Sequence, residues 1–221
     1  MVWVPAQLPP RWMAALKTVV FLACLVPAGL IVFDLFTGRL GVNPVEAMIR
    51  GLGDWGLRFL LITLAVTPLR MLTGVAWLIR LRRMLGLFAF TYVALHFTAY
   101  LVFEQSGSLA RLAEDVAKRP YILVGATALV LLIPLAVTST NGWMRRLGRR
   151  WKRLHWLVYP IGVLGVFHYF MLIKADDYSQ PLLYSGILAV LLGYRLQRAL
   201  RGWIKRARAP GVATAAAVTP R

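Results

Sequence analysis

Six apolar stretches, each near the length a helix needs to cross a bilayer, leave this chain of 221 residues few ways to fold. Crossing the hydrocarbon core takes about 20 helical residues. A backbone in lipid must also satisfy its own polar groups, which selects helices for such segments. The stretches are residues 17–36, 55–72, 84–103, 120–138, 155–173 and 181–197. They predict an all-α integral membrane protein, a six-helix transmembrane bundle. The first stretch is too long for a signal-peptide core and lacks a small-residue cleavage site, so it reads as a helix. The expected division is an N-terminal segment 1–16, a membrane domain 17–206 and a low-complexity tail 207–221 without fixed structure. The tail is too short for a soluble flavin or nicotinamide domain, so any electrons are expected from a separate donor.

The net charge of +18 invites a nucleic-acid reading, and its distribution argues against one. Of 26 basic residues, 19 fall in the N-terminal segment, the loops after the second and fourth stretches, and the C-terminal segment. The loops carry Arg70, Arg80, Arg82 and Arg83, then Arg145, Arg146, Arg149, Arg150, Lys152 and Arg153. All eight acids, from Asp34 to Asp177, fall on the other connections. This is the positive-inside asymmetry, and it predicts an N-in/C-in topology with the basic rim on anionic lipid.

Gly51-Leu52-Gly53-Asp54-Trp55-Gly56 matches G-x-G-x-x-G, but no strand precedes it and no βαβ unit surrounds it. It reads as the end of an interfacial turn that lets the second helix begin. Residues 104–119 read as a short amphipathic piece, and Asp176 and Asp177 as a very short last outer loop. Cys24 is the only cysteine and reads as a small apolar residue; alone it forms neither an intrachain disulfide nor a covalent haem attachment. A faint internal echo links the third and fifth stretches. Each follows a basic loop and carries a deep histidine, and the helices before them end alike, in Ala65-Val66-Thr67-Pro68 and Ala136-Val137-Thr138-Ser139.

The chain has three histidines, all in apolar stretches: His96, His155 and His168. Ionisable side chains inside a membrane usually mark function, and neutral imidazole is a standard axial ligand of haem iron. His96 lies about 12 residues into its helix and His168 about 13, so both sit roughly 18–20 Å from the inner end. Two imidazoles at one depth on parallel neighbours can clamp one haem. His155 lies at the inner mouth, with Arg82 and Arg83 rather than a histidine at matching depth. On an ideal helix it points about 140° away from His168, unless Pro160 kinks the helix. It is either an axial or quinone-site residue or a snorkelling one. Arg58 either pairs with a haem propionate or snorkels outward. Gly86, Gly125, Gly162 and Gly165 either make room for a porphyrin or let helices touch.

Several motifs together resemble the MsrQ (YedZ) family. They are Leu78-Ile79-Arg80-Leu81-Arg82-Arg83-Met84-Leu85-Gly86-Leu87 with Ala94-Leu95-His96, Arg146-Leu147-Gly148-Arg149-Arg150-Trp151-Lys152-Arg153-Leu154-His155, and His168-Tyr169. Gly41-Val42-Asn43-Pro44-Val45 and Arg119-Pro120-Tyr121 also fit. The resemblance covers about residues 12–205. It implies a bacterial inner-membrane haem b subunit of the ferric-reductase-like transmembrane class, with His96, His155 and His168 as haem-linked histidines. It implies electron transfer to MsrP, a periplasmic molybdopterin enzyme that reduces methionine sulfoxide in oxidised envelope proteins. The implied donor is the quinone pool or a cytosolic flavin reductase. FMN is implied too, although no residue pattern marks its site. NADPH oxidases, which are distantly similar, have a fourth histidine that this chain lacks, so one haem is expected and a second stays open. Two other readings of the same residues are a ferric or quinone reductase acting directly on a small substrate, and a haem-free transporter.

Overall fold

Asparagine and proline set the first long boundary. Asn43 Oδ1 accepts from the Glu46 N–H at 3.2 Å, its amide donates to Glu46 Oε2 at 3.0 Å, and Pro44 occupies the first helical position. This capping arrangement starts helix α2 (Pro44–Thr73) well before residue 55. The G-x-G-x-x-G segment therefore lies inside α2 and ends no turn, contrary to the sequence reading. Its glycines serve close packing. A Cβ on Gly56 would stand 2.7 Å from Val93 Cγ2 of the neighbouring helix.

The computed structural model describes residues 8–173 and 178–208, with side chains through Ile204. The expected Asp176–Asp177 loop and the tail from residue 209 lie outside the described residues. Every regular element among the described residues is helical: α1 (Pro10–Phe36), α2, α3 (Arg82–Ala99), α4 (Leu109–Lys118), α5 (Pro120–Val137), α6 (Asn141–Leu147), α7 (Arg149–Leu154), α8 (Val158–Met171) and α9 (Ser179–Arg208). Five are long and apolar enough to cross a membrane when α3 is taken through Glu104 and α7–α8 as one rod: Pro10–Phe36, Pro44–Thr73, Arg82–Glu104, Pro120–Val137 and Arg149–Met171. The sixth apolar stretch lies in α9, where Arg195, Arg198 and Arg201 dilute it. Helix α1 starts at Pro10 rather than at residue 17, because proline suits the first turn. The amphipathic piece is present as α4, with the Ser108 hydroxyl accepting from the Arg111 N–H at 3.3 Å.

The bundle is built on two antiparallel hairpins, α2 with α3 and α5 with α8. The buried core holds Leu57, Leu60, Leu64, Phe88, Leu132 and Ile161. Prolines inside spanning helices free carbonyls, and side chains from other helices take up the slack. Near Pro27 of α1, the Tyr92 hydroxyl of α3 enters the ladder. It donates to Cys24 O at 2.7 Å and accepts from the Ala28 N–H at 2.9 Å. Cys24 itself is buried, as expected of a small apolar residue. Pro68 of α2 cannot donate to Leu64 O, and the Arg195 guanidinium of α9 donates to that carbonyl instead. Arg195 also donates to Leu191 O at 3.1 Å and lies over the Tyr159 ring at 5.5 Å. Tyr92 is 1% exposed, and Tyr92→Phe removes the hydroxyl that bridges Cys24 O and the Ala28 N–H. It is expected to cost about 1–3 kcal/mol, read as a lowered midpoint of thermal unfolding in detergent.

Pro160 lies in the first turn of α8, just after a 3₁₀ turn, His155–Leu157. The ring cannot donate to the carbonyl four residues back, at Trp156, and the helix tightens there. The ideal-helix angle between His155 and His168 therefore does not hold. After α3 the backbone widens into a π turn, Tyr100–Glu104. Beyond it Ser106 (φ 48°) and Gly107 (φ 72°) reverse the chain. Tyr100 donates to Asp115 Oδ2 at 2.6 Å, and Gln105 Nε2 donates to the same oxygen at 2.7 Å. These bonds tie α4 to the acidic end of the bundle.

Candidate functional site

Between the hairpins lies a cavity of about 790 Å³, within the size range of cofactor sites. It is walled by α2, α3, α5 and α8 and opens at the end that carries Asn43, Glu104 and Ile173. His96 and His168 both face it. Their ring centres are 6.3 Å apart and their planes cross at 80°.

The two histidines are held by the same device. His96 Nδ1 lies 2.8 Å from Ile49 O, and His168 Nδ1 lies 2.6 Å from Tyr121 O. A carbonyl only accepts, so each Nδ1 carries the proton and each Nε2 keeps its lone pair. This is the outer hydrogen bond that orients metal-ligating histidines. Both bonds join residues 47 apart in the chain. One helical turn beyond each carbonyl stands a glycine whose missing Cβ makes room for the ring. A Cβ on Gly53 would lie 2.9 Å from His96 Nδ1, and one on Gly125 would lie 2.8 Å from His168 Cε1.

The spacing suits one metal between two imidazoles. A first-row metal–imidazole bond is about 2.0–2.1 Å and the ring centre lies about 1.1 Å behind its nitrogen, so a linear pair places the centres about 6.2–6.4 Å apart. The observed 6.3 Å falls in that range. The walls suit a flat apolar group: Leu57, Leu60, Val93, Leu129, Leu132 and Ile161 line the cavity. Two cations stand at its mouth. Arg50 pairs with Glu46 at 2.7 Å, and Arg119 pairs with Asp115 at 3.3 Å. Arg119 also donates to the Tyr121 hydroxyl at 3.1 Å. That hydroxyl first, and then Asp115, raise the Arg119 pKa above its ordinary value.

His155, Arg82, Arg83 and Arg58 do not line the cavity. His155 stacks on Trp151, with ring centres 3.9 Å apart. Its Nε2 lies 3.3 Å from Thr138 Oγ1. That hydroxyl already donates to Pro134 O at 2.6 Å, so it accepts from Nε2–H, which leaves the lone pair on Nδ1. Arg82 is the charge acting on this ring, and Arg83 donates to Asn141 Oδ1. Arg58 donates to the Tyr184 hydroxyl at 2.8 Å and sits over the Trp55 ring at 4.9 Å. Asp54 stands 3.9 Å from it. Of the four glycines singled out, Gly125 and Gly165 line the cavity. Gly86 and Gly162 lie at helix contacts instead: a Cβ on Gly86 would meet Thr63 at an ordinary 3.5 Å, and one on Gly162 would stand tighter, 3.3 Å from Leu188. Gly53, Arg50 and Arg119 were missed. Gly53 had a signal, since it precedes His96 at the same distance by which Gly125 precedes His168.

Helical hairpins that present two oriented histidines to one cavity define a membrane protein of ferric-reductase type, and the family described as "Ferric reductase like transmembrane component" matches residues 52–166. The "Protein-methionine-sulfoxide reductase heme-binding subunit MsrQ" of Xanthomonas campestris pv. campestris (strain 8004) is 51% identical over 208 residues, covering 90% of this chain and 95% of its own length. The protein of the same name from Herminiimonas arsenicoxydans is 50% identical over 202 residues, covering 90% of this chain and 91% of its own. The chain belongs to the MsrQ family.

Proposed function

We propose that the protein is the haem b electron-transfer subunit of a methionine sulfoxide reductase system, with His96 and His168 as the axial ligands. The single observation that carries this is the pair of Nδ1–H bonds to Ile49 O and Tyr121 O, which turn two lone pairs toward one cavity. Bound there, haem would supply a one-electron carrier. The protein's own part is to hold the imidazoles neutral and oriented, to keep water from the apolar walls, and to set the potential by ligation and burial. Arg50 and Arg119 would hold the propionates at the mouth.

In this reading α9 is the sixth span, both termini are cytoplasmic, and the membrane is the bacterial inner membrane. The cavity mouth then faces the periplasm, where MsrP would collect the electrons. The quinone pool or a cytosolic flavin reductase would supply them. His155, with Arg82 as the charge near its ring, is the place for a second, inner haem should one be bound. FMN forms no part of the reading.

A pyridine haemochrome assay on purified protein, with oxidised and reduced spectra, tests this. The expected result is a low-spin b-type spectrum at one haem per chain. Two per chain would bring His155 into use. Colourless protein after expression with ample haem would overturn the reading.

A further inference from the structure

The two arginines at the cavity mouth are held by one repeated device. In the first hairpin, Glu46 divides its carboxylate between two donors. Its Oε2 accepts from the Asn43 amide at 3.0 Å, and its Oε1 accepts from Arg50 Nε at 2.9 Å. Beside the second hairpin, Asp115 of α4 does the same. Its Oδ2 accepts from the Gln105 amide at 2.7 Å and the Tyr100 hydroxyl at 2.6 Å, while its Oδ1 stands 3.3 Å from Arg119 Nε. Each acid lies four residues before its arginine. Each arginine lies within two residues of a carbonyl that holds a cavity histidine, Ile49 O or Tyr121 O.

Helix pairing does not account for the side-chain amides. Exposed ion pairs contribute little to stability, and an amide on the far oxygen adds nothing to the attraction between the charges. It fixes the carboxylate, and so fixes the direction in which the arginine is held. An arginine ordered in advance does not lose its rotamer freedom when an anion arrives. Arg119 gives one N–H to the Tyr121 hydroxyl at 3.1 Å and turns another toward Asp115. A guanidinium has five N–H donors, so others serve an anion at the mouth.

We propose that Asp115 and Glu46 are positioning residues of the haem seat: each aims one arginine at the cavity mouth, so that two fixed cations meet the two carboxylate arms of the haem. This rests on the proposed haem site. Asp115 does not line the cavity and acts through Arg119, which does. Its side chain is 17% exposed against 45% for Glu46, so Asp115 carries the larger effect.

The test uses full-length protein in phosphatidylcholine nanodiscs, loaded with haem b or with its dimethyl ester, whose carboxylate arms are blocked. Transfer of the haem to excess apomyoglobin is followed at the Soret band. Asp115→Asn keeps one oxygen for Tyr100 and Gln105 and places an amide where Oδ1 faced Arg119. It should speed loss of haem b about tenfold and leave loss of the ester unchanged. Asp115→Asn combined with Arg119→Gln should lose haem b no faster than Arg119→Gln alone, because the acid acts through the arginine. Glu46→Gln should show the same selectivity for haem b with a smaller effect, and it carries the test if Asp115→Asn fails to fold. Equal acceleration for haem b and ester would mark a merely structural role and overturn the inference, as would additive effects in the double variant. Unchanged loss of haem b in both acid variants would overturn it alone. Wild-type protein that takes up neither compound would overturn the proposed function and this inference with it.

Discussion

His168→Ala is expected to abolish the low-spin haem spectrum of the purified protein. Both imidazoles face one cavity, and Cys24 is the only cysteine, so no covalent attachment would compensate for a lost ligand. His96→Ala should behave in the same way, because its ring is held by an equivalent bond. Haem content in both should fall by about tenfold or more, since even an orienting partner is worth about 10–100-fold in affinity. His155→Ala should keep the low-spin signal of the main site, because its ring lies apart from the cavity, against Trp151 and Thr138. Full haem content with an unchanged spectrum in His168→Ala would refute the pairing.

Gly125→Ala and Gly53→Ala should be nearly as damaging, although neither residue touches a metal. A Cβ at Gly125 would meet His168 at 2.8 Å, and one at Gly53 would meet His96 at 2.9 Å. The neighbour in each case is a rigid ring pinned by its own hydrogen bond, so it can give way only by breaking that bond. The expected effect is about a 10–100-fold loss in haem affinity, measured by titrating haem into apoprotein and following the Soret band. Gly86→Ala is the matched control. Its Cβ would make ordinary contact with Thr63 at 3.5 Å, and haem affinity should match the wild type.

Much of this architecture is legible in the sequence, for a physical reason. Lipid demands long apolar helices, and the basic loops sort to one end, so spans and connections can be read from composition alone. The depths of His96 and His168 follow from helical rise, and the structure brings the two rings together. Other features depend on contacts between distant segments. Nothing local to Gly53 shows that it faces His96 across two helices. Nothing local marks Arg50 or Arg119 as standing at the mouth of a cavity. The start of α2 was misplaced because the glycine-rich segment looks like a turn, whereas the cap at Asn43 and Pro44 decides the matter. The bond from Arg58 to Tyr184 of α9 joins residues 126 apart, and no local pattern announces it.

The equal 47-residue reach of the two histidine bonds has a consequence for how such a chain could arise. Each hairpin supplies one carbonyl, one glycine and one imidazole, which amounts to half a binding site. The two hairpins run parallel to each other, so the relation between them is a rotation about an axis close to the membrane normal. Two separate copies of one hairpin, paired as a homodimer about that axis, would build the whole seat. Fusion into one chain frees the halves to diverge, and only the second half carries a further histidine at its entrance.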